Sequence, residues 1–413
     1  MSLFDDASLV LTPNGYKASK LYSIKPTSGA GDMTVVRATT IATRVNSANL
    51  IESVAINVPR LDYPPLGGCP SILVEPLRTN LVFYSEQFNN VSWLKYLATV
   101  TSNSQQAPDG TTTADLVYPS STGALAGQVY KSVAGITLGN VVTVSVFVKA
   151  SGKNFAYIGP LYNFSPAAWF NLTTGAITNP IANVTTSMTA FANGWWRISV
   201  TSTATATSFM TIGSTDAAGG VTNTASGNNG ILVWGAQVEV GTKVSSYIPT
   251  TTASVTRNAD VISDTGISTL IGQTEGTIYA EINNTLMTSY STGYVMRIFA
   301  DANNEVWIRK ESGTNTYTAR WRANSVDVYT QSTIAVLNGN NKIAIAYKTG
   351  DSAVYLNGTQ IGTSASTGAF AVAPSQIGIG SSSTADFFND RIELATVFQT
   401  RLTNAQLATL TTL

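Results

Sequence analysis

Apolar and polar residues alternate with a period of two along most of this chain, and helical periodicity is nearly absent. Val142, Val144, Val146 and Val148 fall on one side of an extended segment, leaving Thr143, Ser145, Phe147 and Lys149 on the other. In the strand entered at Trp195, the residues Trp196, Ile198 and Val200 form the apolar side, which turns Trp195 and Arg197 the opposite way. Such runs are separated by Gly, Asn, Ser and Thr turns at short spacing, a pattern that predicts antiparallel sandwiches rather than a parallel α/β sheet. Residues 1–80 differ: their short strands are broken by Pro13, Gly15, Pro26, Gly29, Gly31, Pro59, Pro64 and Pro65. The expected fold class is all-β, with an N-terminal short-strand module (1–80) and two antiparallel β-sandwich (jelly-roll) domains (81–262 and 263–413).

The segment Val306–Arg322 predicts a hairpin with a turn over Ser312, Gly313, Thr314 and Asn315. If Glu311 pairs with Thr316, Trp307 lies opposite Arg320 and Val306 opposite Trp321. Val306, Ile308, Tyr317, Ala319 and Trp321 then face inward. Trp307, Arg309, Thr318 and Arg320 face outward with Arg322 beside them. An aromatic ring flanked by guanidinium groups can stack a sugar and bind its hydroxyls or a carboxylate. It can equally be an exposed cation–π pair or a subunit contact. Phe147, Lys149, Trp195 and Arg197 form a second candidate set on the non-core side of the middle domain. Trp93 and Trp234 are expected in a core or at a sheet corner.

Composition narrows the chemistry. Charged residues make up 11% of the 413, with 23 Lys+Arg against 23 Asp+Glu, so no net field draws the chain to nucleic acid or to an anionic membrane. Histidine is absent, which removes the commonest general base and His-ligated metal sites. Cys69, in a GGCP turn, is expected to be structural. The N-terminal stretch has no basic region followed by an apolar core and is not expected to be a secretory signal, and no segment is long and apolar enough to span a bilayer. Asp386, Asp390 and Glu393 are the local acid cluster of the last domain and are expected to be solvated strand-edge charges. No catalytic residue is assigned.

Several phrases resemble known families. WGAQVE from Trp234, SYIPT from Ser246 and TRNAD from Thr256 are similar to the closing motif of carbohydrate-binding-module-like jelly rolls of phage fibre and virion surface proteins. EPLRTN from Glu75 and NGWWRISV from Asn193 fit the same resemblance, and VVRATT and PRLDY look like the module that precedes such domains. A short echo relates Val36-Arg37-Ala38-Thr39 to Thr256-Arg257-Asn258-Ala259. From Asp264 onward, GTIYAEI, NNKIAIAYKTGDSAVYLNGTQIG and RIELATVFQTRLTNAQLATL resemble a concanavalin A-like (laminin G-like) lectin sandwich, whose last phrase is a strand followed by a short helix capped by Thr403 or Asn404. The E-x-D-x-x-E phrase of hydrolytic relatives is missing.

The resemblance implies a phage fibre or adhesin subunit on the virion surface, made in the host cytoplasm and released by lysis. It implies host-surface glycan binding without catalysis, self-association as a homotrimer, and attachment to other virion proteins through residues 1–80. No nucleic acid and no membrane insertion are expected. A head-fibre or capsid decoration protein whose faces make protein contacts is the alternative, and a glycan depolymerase a second one. No cofactor is expected beyond a structural calcium, for which Asp115 and Glu239 are candidates by resemblance.

Overall fold

A computed structural model describes residues 3–159, 166–204, 209–284, 292–312, 316–332, 337–382 and 386–413. The chain is all-β as expected, with short 3-10 turns and one α-helix, α1 (Asn404–Thr411), among the described residues. Thr403 caps that helix and exchanges bonds with Gln406 in a capping box.

The leader supplies β1 (Leu9–Lys17), β2 (Lys20–Lys25), β3 (Met33–Val36), a hairpin of β4 (Ala42–Val45) and β5 (Ile51–Val54), and β6 (Ser71–Val74). The middle unit packs two six-stranded antiparallel sheets. One of these carries β7 (Val141–Ser151), β8 (Thr185–Ala190), β9 (Trp196–Thr203) and β10 (Gly230–Val240), with β8 at its edge. The C-terminal unit includes β11 (Val261–Thr265), β12 (Glu275–Asn284), β13 (Gly293–Asp301), β14 (Asn304–Lys310), β15 (Tyr317–Ala323) and β16 (Asp390–Phe398).

The period-two pattern decides what each strand buries. Val142, Val144, Val146 and Val148 enter the middle core with Ile198 and Val200, as their spacing predicts. Trp93 lies in that core and Trp234 in an aromatic cluster on the far side of the sheet.

The leader is not a separate module, contrary to the expectation for residues 1–80. β1 pairs with β16, placing Leu9 opposite Val397, and β3 pairs with β11, placing Val35 opposite Ile262. β6 also pairs with β16. Leu9, Leu11, Leu21, Met33 and Val35 are buried in one core with Ile278, Ile298 and Val397. The physical reason lies in the strands themselves: β3 alternates buried and exposed residues but is four residues long, too short to bury its apolar face without a larger sheet. Among the described residues β1, β2 and β3 join the two halves of the C-terminal sandwich into one continuous sheet.

A buried ion network holds the leader and the middle unit together beside the start of β11. Arg60 donates to Glu75 (2.7 Å) and makes a two-pronged contact with Asp260. Arg37 reaches Asp260 at 3.0 Å and Arg257 reaches Glu75 at 2.8 Å. The Ser246 amide and hydroxyl donate to Glu75 at 2.8 and 2.7 Å. Burial alone would raise the Glu75 carboxyl, but Arg257, Arg60 and the Ser246 hydrogen bonds outweigh it and hold the group well below the usual carboxylate range. The echoing phrases around Arg37 and Arg257 therefore deliver two guanidinium groups to one cluster, and TRNAD, PRLDY and VEPLRTN are phrases of this junction.

Candidate functional site

The hairpin register expected from sequence is the one observed: Glu311 donates its amide to Thr316, Trp307 sits opposite Arg320, and Val306 opposite Trp321. The predicted turn residues Gly313, Thr314 and Asn315 lie outside the described residues. The inward set is in the core, and Trp307 is on the opposite face. Yet Trp307 is only 1% exposed. The Arg309 and Arg320 guanidinium groups lie 4.6 and 4.7 Å from its ring centre, and Tyr294 meets it edge-on. Its indole N–H donates to Glu305 at 3.0 Å, and Arg297 and Arg320 also donate to Glu305. Arg309 pairs with Glu311, and Arg320 and Arg322 with Asp327.

The expected open recognition face is thus closed by its own arginines. Glu305 and Arg297 were the missing residues: Glu305 lies two positions before Trp307 on the same face, and Arg297 is directly opposite Trp307 on β13. Only the identity of the neighbouring strand could have supplied Arg297. Replacing Trp307 by Ala is accordingly expected to destabilise the protein by about 3 kcal/mol, as for other buried Trp truncations. Chemical denaturation measures this, and a loss below about 0.5 kcal/mol would mean that the ring is not packed as described.

The second set is also corrected. β7 and β9 are neighbours and Phe147 does pair with Arg197, but their shared face is covered by the leader and by residues 243–247. Phe147 (0% exposed) and Trp195 (1%) belong to an aromatic cluster with Trp234, Tyr247 and Ile51 of β5. A bulge sets this cluster: Gly235 has φ +64°, and a Cβ there would lie 3.0 Å from the Phe147 ring. Arg197 lies 5.0 Å from that ring centre and donates to the Ser245 carbonyl and the Ser145 hydroxyl. Burial lowers its pKa to about 10, Glu239 and Glu75 offsetting part of the cost. Lys149 remains half-buried.

Between the three units lies a cleft of about 480 Å³. One wall is the edge strand β8, with Thr185, Ser187 and Thr189 on the side of the sheet shared with Arg197. Phe191 stands above Phe147, edge to face at 5.0 Å. The opposite wall comes from β4 and from Asp62 and Ser71, and the end is closed by Asn283, Asn389, Asp390 and Arg391. Lys243 donates to the Asn389 carbonyl (2.7 Å) and to Asp390 (2.8 Å), and Arg391 pairs with Asp62 at 2.6 Å.

Asp390 is therefore a buried ion-pair partner rather than a solvated edge charge, whereas Asp386 is exposed and Glu393 half-buried. The Asp115 carboxylate accepts backbone N–H groups from Phe88, Asn89 and Asn103. Glu239 accepts from Gln237 and from the Ser245 amide and hydroxyl. A calcium ion at either residue would have to displace these donors, and no group of three acidic, His or Cys side chains among the described residues is placed to hold a metal. Cys69 is exposed. No described helix is long and apolar enough to cross a membrane.

No family model and no curated protein matches the chain. Among solved structures it is similar to the Ruminococcus gnavus IT-sialidase CBM40 bound to alpha2,3 sialyllactose, at 16% identity and a TM-score of 0.31, over 35% of this chain and 86% of that one. It is also similar to the binding domain of botulinum neurotoxin DC in complex with rat synaptotagmin II, at 14% identity and a TM-score of 0.30, over 37% of this chain and 40% of that one. At these scores neither neighbour informs the function.

Proposed function

We propose that this chain is a fibre or adhesin subunit of a phage virion that binds host-surface glycans without catalysis. The observation that carries the proposal is the junction: buried ion pairs and shared strands weld the leader and two sandwiches into one unit suited to presenting a surface and transmitting load. Several of the sequence phrases that resemble virion adhesins, TRNAD, EPLRTN and PRLDY among them, build this junction. Self-association as a homotrimer fits the reading, because linking weak sites raises avidity by roughly 10² to 10⁴. Leader residues Ile24, Val36 and Ile56 stay 45–47% exposed and offer apolar side chains for docking to other virion proteins. The virion surface is the proposed location.

A glycan array probed with the purified chain, together with a reducing-sugar release assay on the glycans it retains, tests this function. Binding without time-dependent release is expected. Release of reducing ends would replace the adhesin by a depolymerase, and an empty array would leave a decoration role. The decoration reading has one observation in its favour: the edge strand Leu94–Tyr96 leaves Leu94 and Tyr96 50% and 48% exposed, as a subunit contact would.

A further inference from the structure

We infer that the cleft between the three units is the glycan site, and that it takes a neutral, hydroxyl-rich sugar chain rather than an acidic one. The inference rests on the proposed glycan-binding function and locates it in the cleft that Phe147 and Arg197, two residues of the second candidate set, help to line.

Charge decides the ligand class. Of the cations Arg44, Arg197, Lys243 and Arg391 in the cleft wall, Arg44 pairs with Glu52 at 2.7 Å, while the Glu75 carboxylate of the same wall is taken by Arg60 and Arg257. Lys243 and Arg391 spend their charge on Asp390 and Asp62 at 2.8 and 2.6 Å. An incoming carboxylate would have to compete with these pairs at a desolvation cost, and the remaining cation, Arg197, is 9% exposed and already donates to the Ser245 carbonyl and the Ser145 hydroxyl.

What the wall does leave unpaired is polar and of both kinds. The Asn389 side-chain carbonyl is buried and accepts no hydrogen bond, and the Arg197 Nε–H likewise has no acceptor. Asn389 is 93% buried by its 7% exposure, so an orphaned acceptor there is costly unless a donor enters the cleft. A hydroxyl is such a donor and a carboxylate is not. β8 is the last strand of its sheet, so every second residue presents unpaired backbone N–H and C=O groups along its outer edge. Thr185 and Thr189 add hydroxyls. Phe191, half-buried beside them, supplies an apolar ring for the C–H face of a pyranose. Alternating donors and acceptors beside one ring suit a neutral saccharide.

The test uses the full chain and calorimetric titration with neutral tri- to hexasaccharides of the gluco, manno and N-acetylglucosamine series, and with oligogalacturonates of the same lengths. Thr189→Tyr adds bulk to the cleft from an exposed position, and Asn389→Gly removes the amide while tolerating the positive φ of 55° found there. Binding of a neutral series by the native chain, weakened at least tenfold by each variant at unchanged melting temperature, is the expected result. Neutral binding untouched by both variants would overturn the site but leave the glycan-binding function standing. Binding of oligogalacturonates alone would overturn the ligand class. Binding of no series at all would overturn the function and the site together. Should Asn389→Gly unfold the chain, the affinity of Thr189→Tyr alone decides whether the site stands.

Discussion

Replacing Asp260 by Ala is expected to cost about 3–5 kcal/mol, because the change leaves two buried guanidinium groups, Arg37 and Arg60, without their shared carboxylate. Both arginine side chains are 0% exposed, so solvent cannot take over the lost contacts. Asp260 also accepts the Glu75 amide, so the change reaches the backbone of the leader at the point where it meets the middle unit. Denaturant unfolding followed by tryptophan fluorescence reads the loss, and a change under about 1 kcal/mol would show that the network contributes little. The acid side follows from linkage. Glu75, whose carboxyl is held below its ordinary value of 4.5, contributes stability that is present above that value and fades only as the pH falls toward the lowered one. The contribution of Glu75 is therefore expected to be similar at about pH 7 and pH 5.5.

A chain that begins at Leu81 is expected to lose the C-terminal sandwich. It lacks Leu9, Leu11, Leu21, Met33 and Val35, each at most 1% exposed. At roughly 2 kcal/mol per buried apolar side chain, these represent on the order of 10 kcal/mol, comparable to the whole stability of a typical domain. The truncation also strips Arg37, Arg60 and Glu75 from the junction and bares the sheet edges at β11 and β16. Calorimetry should show the melting transition of the C-terminal unit absent and the product aggregation-prone. A soluble truncated chain that retains both sandwich transitions near their native temperatures would refute the shared core.

Periodicity stops being informative at the outer faces of the sheets. Alternation assigned Val144, Val146, Ile198 and Ile308 to cores and Trp307, Phe147 and Arg197 to the other side of their sheets, all as found. It could not say what covers that other side. Whether an outward residue meets water depends on the next layer, here the leader over Phe147 and a fence of arginines over Trp307. The partners of β1, β3 and β6 were invisible for a related reason: hydrogen bonds between strands hundreds of residues apart leave no local pattern. Motif phrases reach both places: Glu75 and Ser246 serve the junction and also line the cleft, where Asp62, Arg197 and Arg391 join them. The cleft itself is assembled from separated stretches of all three units, and among the candidate residues only Phe147 and Arg197 marked it.

The seam formed by β1, β2 and β3 also sets the order in which the molecule can be completed. Ser8 bonds the carbonyl of Val397, 389 residues further along, so β1 must wait for β16. Closure across such a distance is slow, and until it happens β1 and β3 stand with open edges and apolar faces. The middle unit carries its own core and is able to fold while the remainder is still being synthesised. Final closure therefore acts as a proofreading step: a product cut short before β16 leaves one edge of β1 unpaired, and only a chain that reaches β16 can seal it.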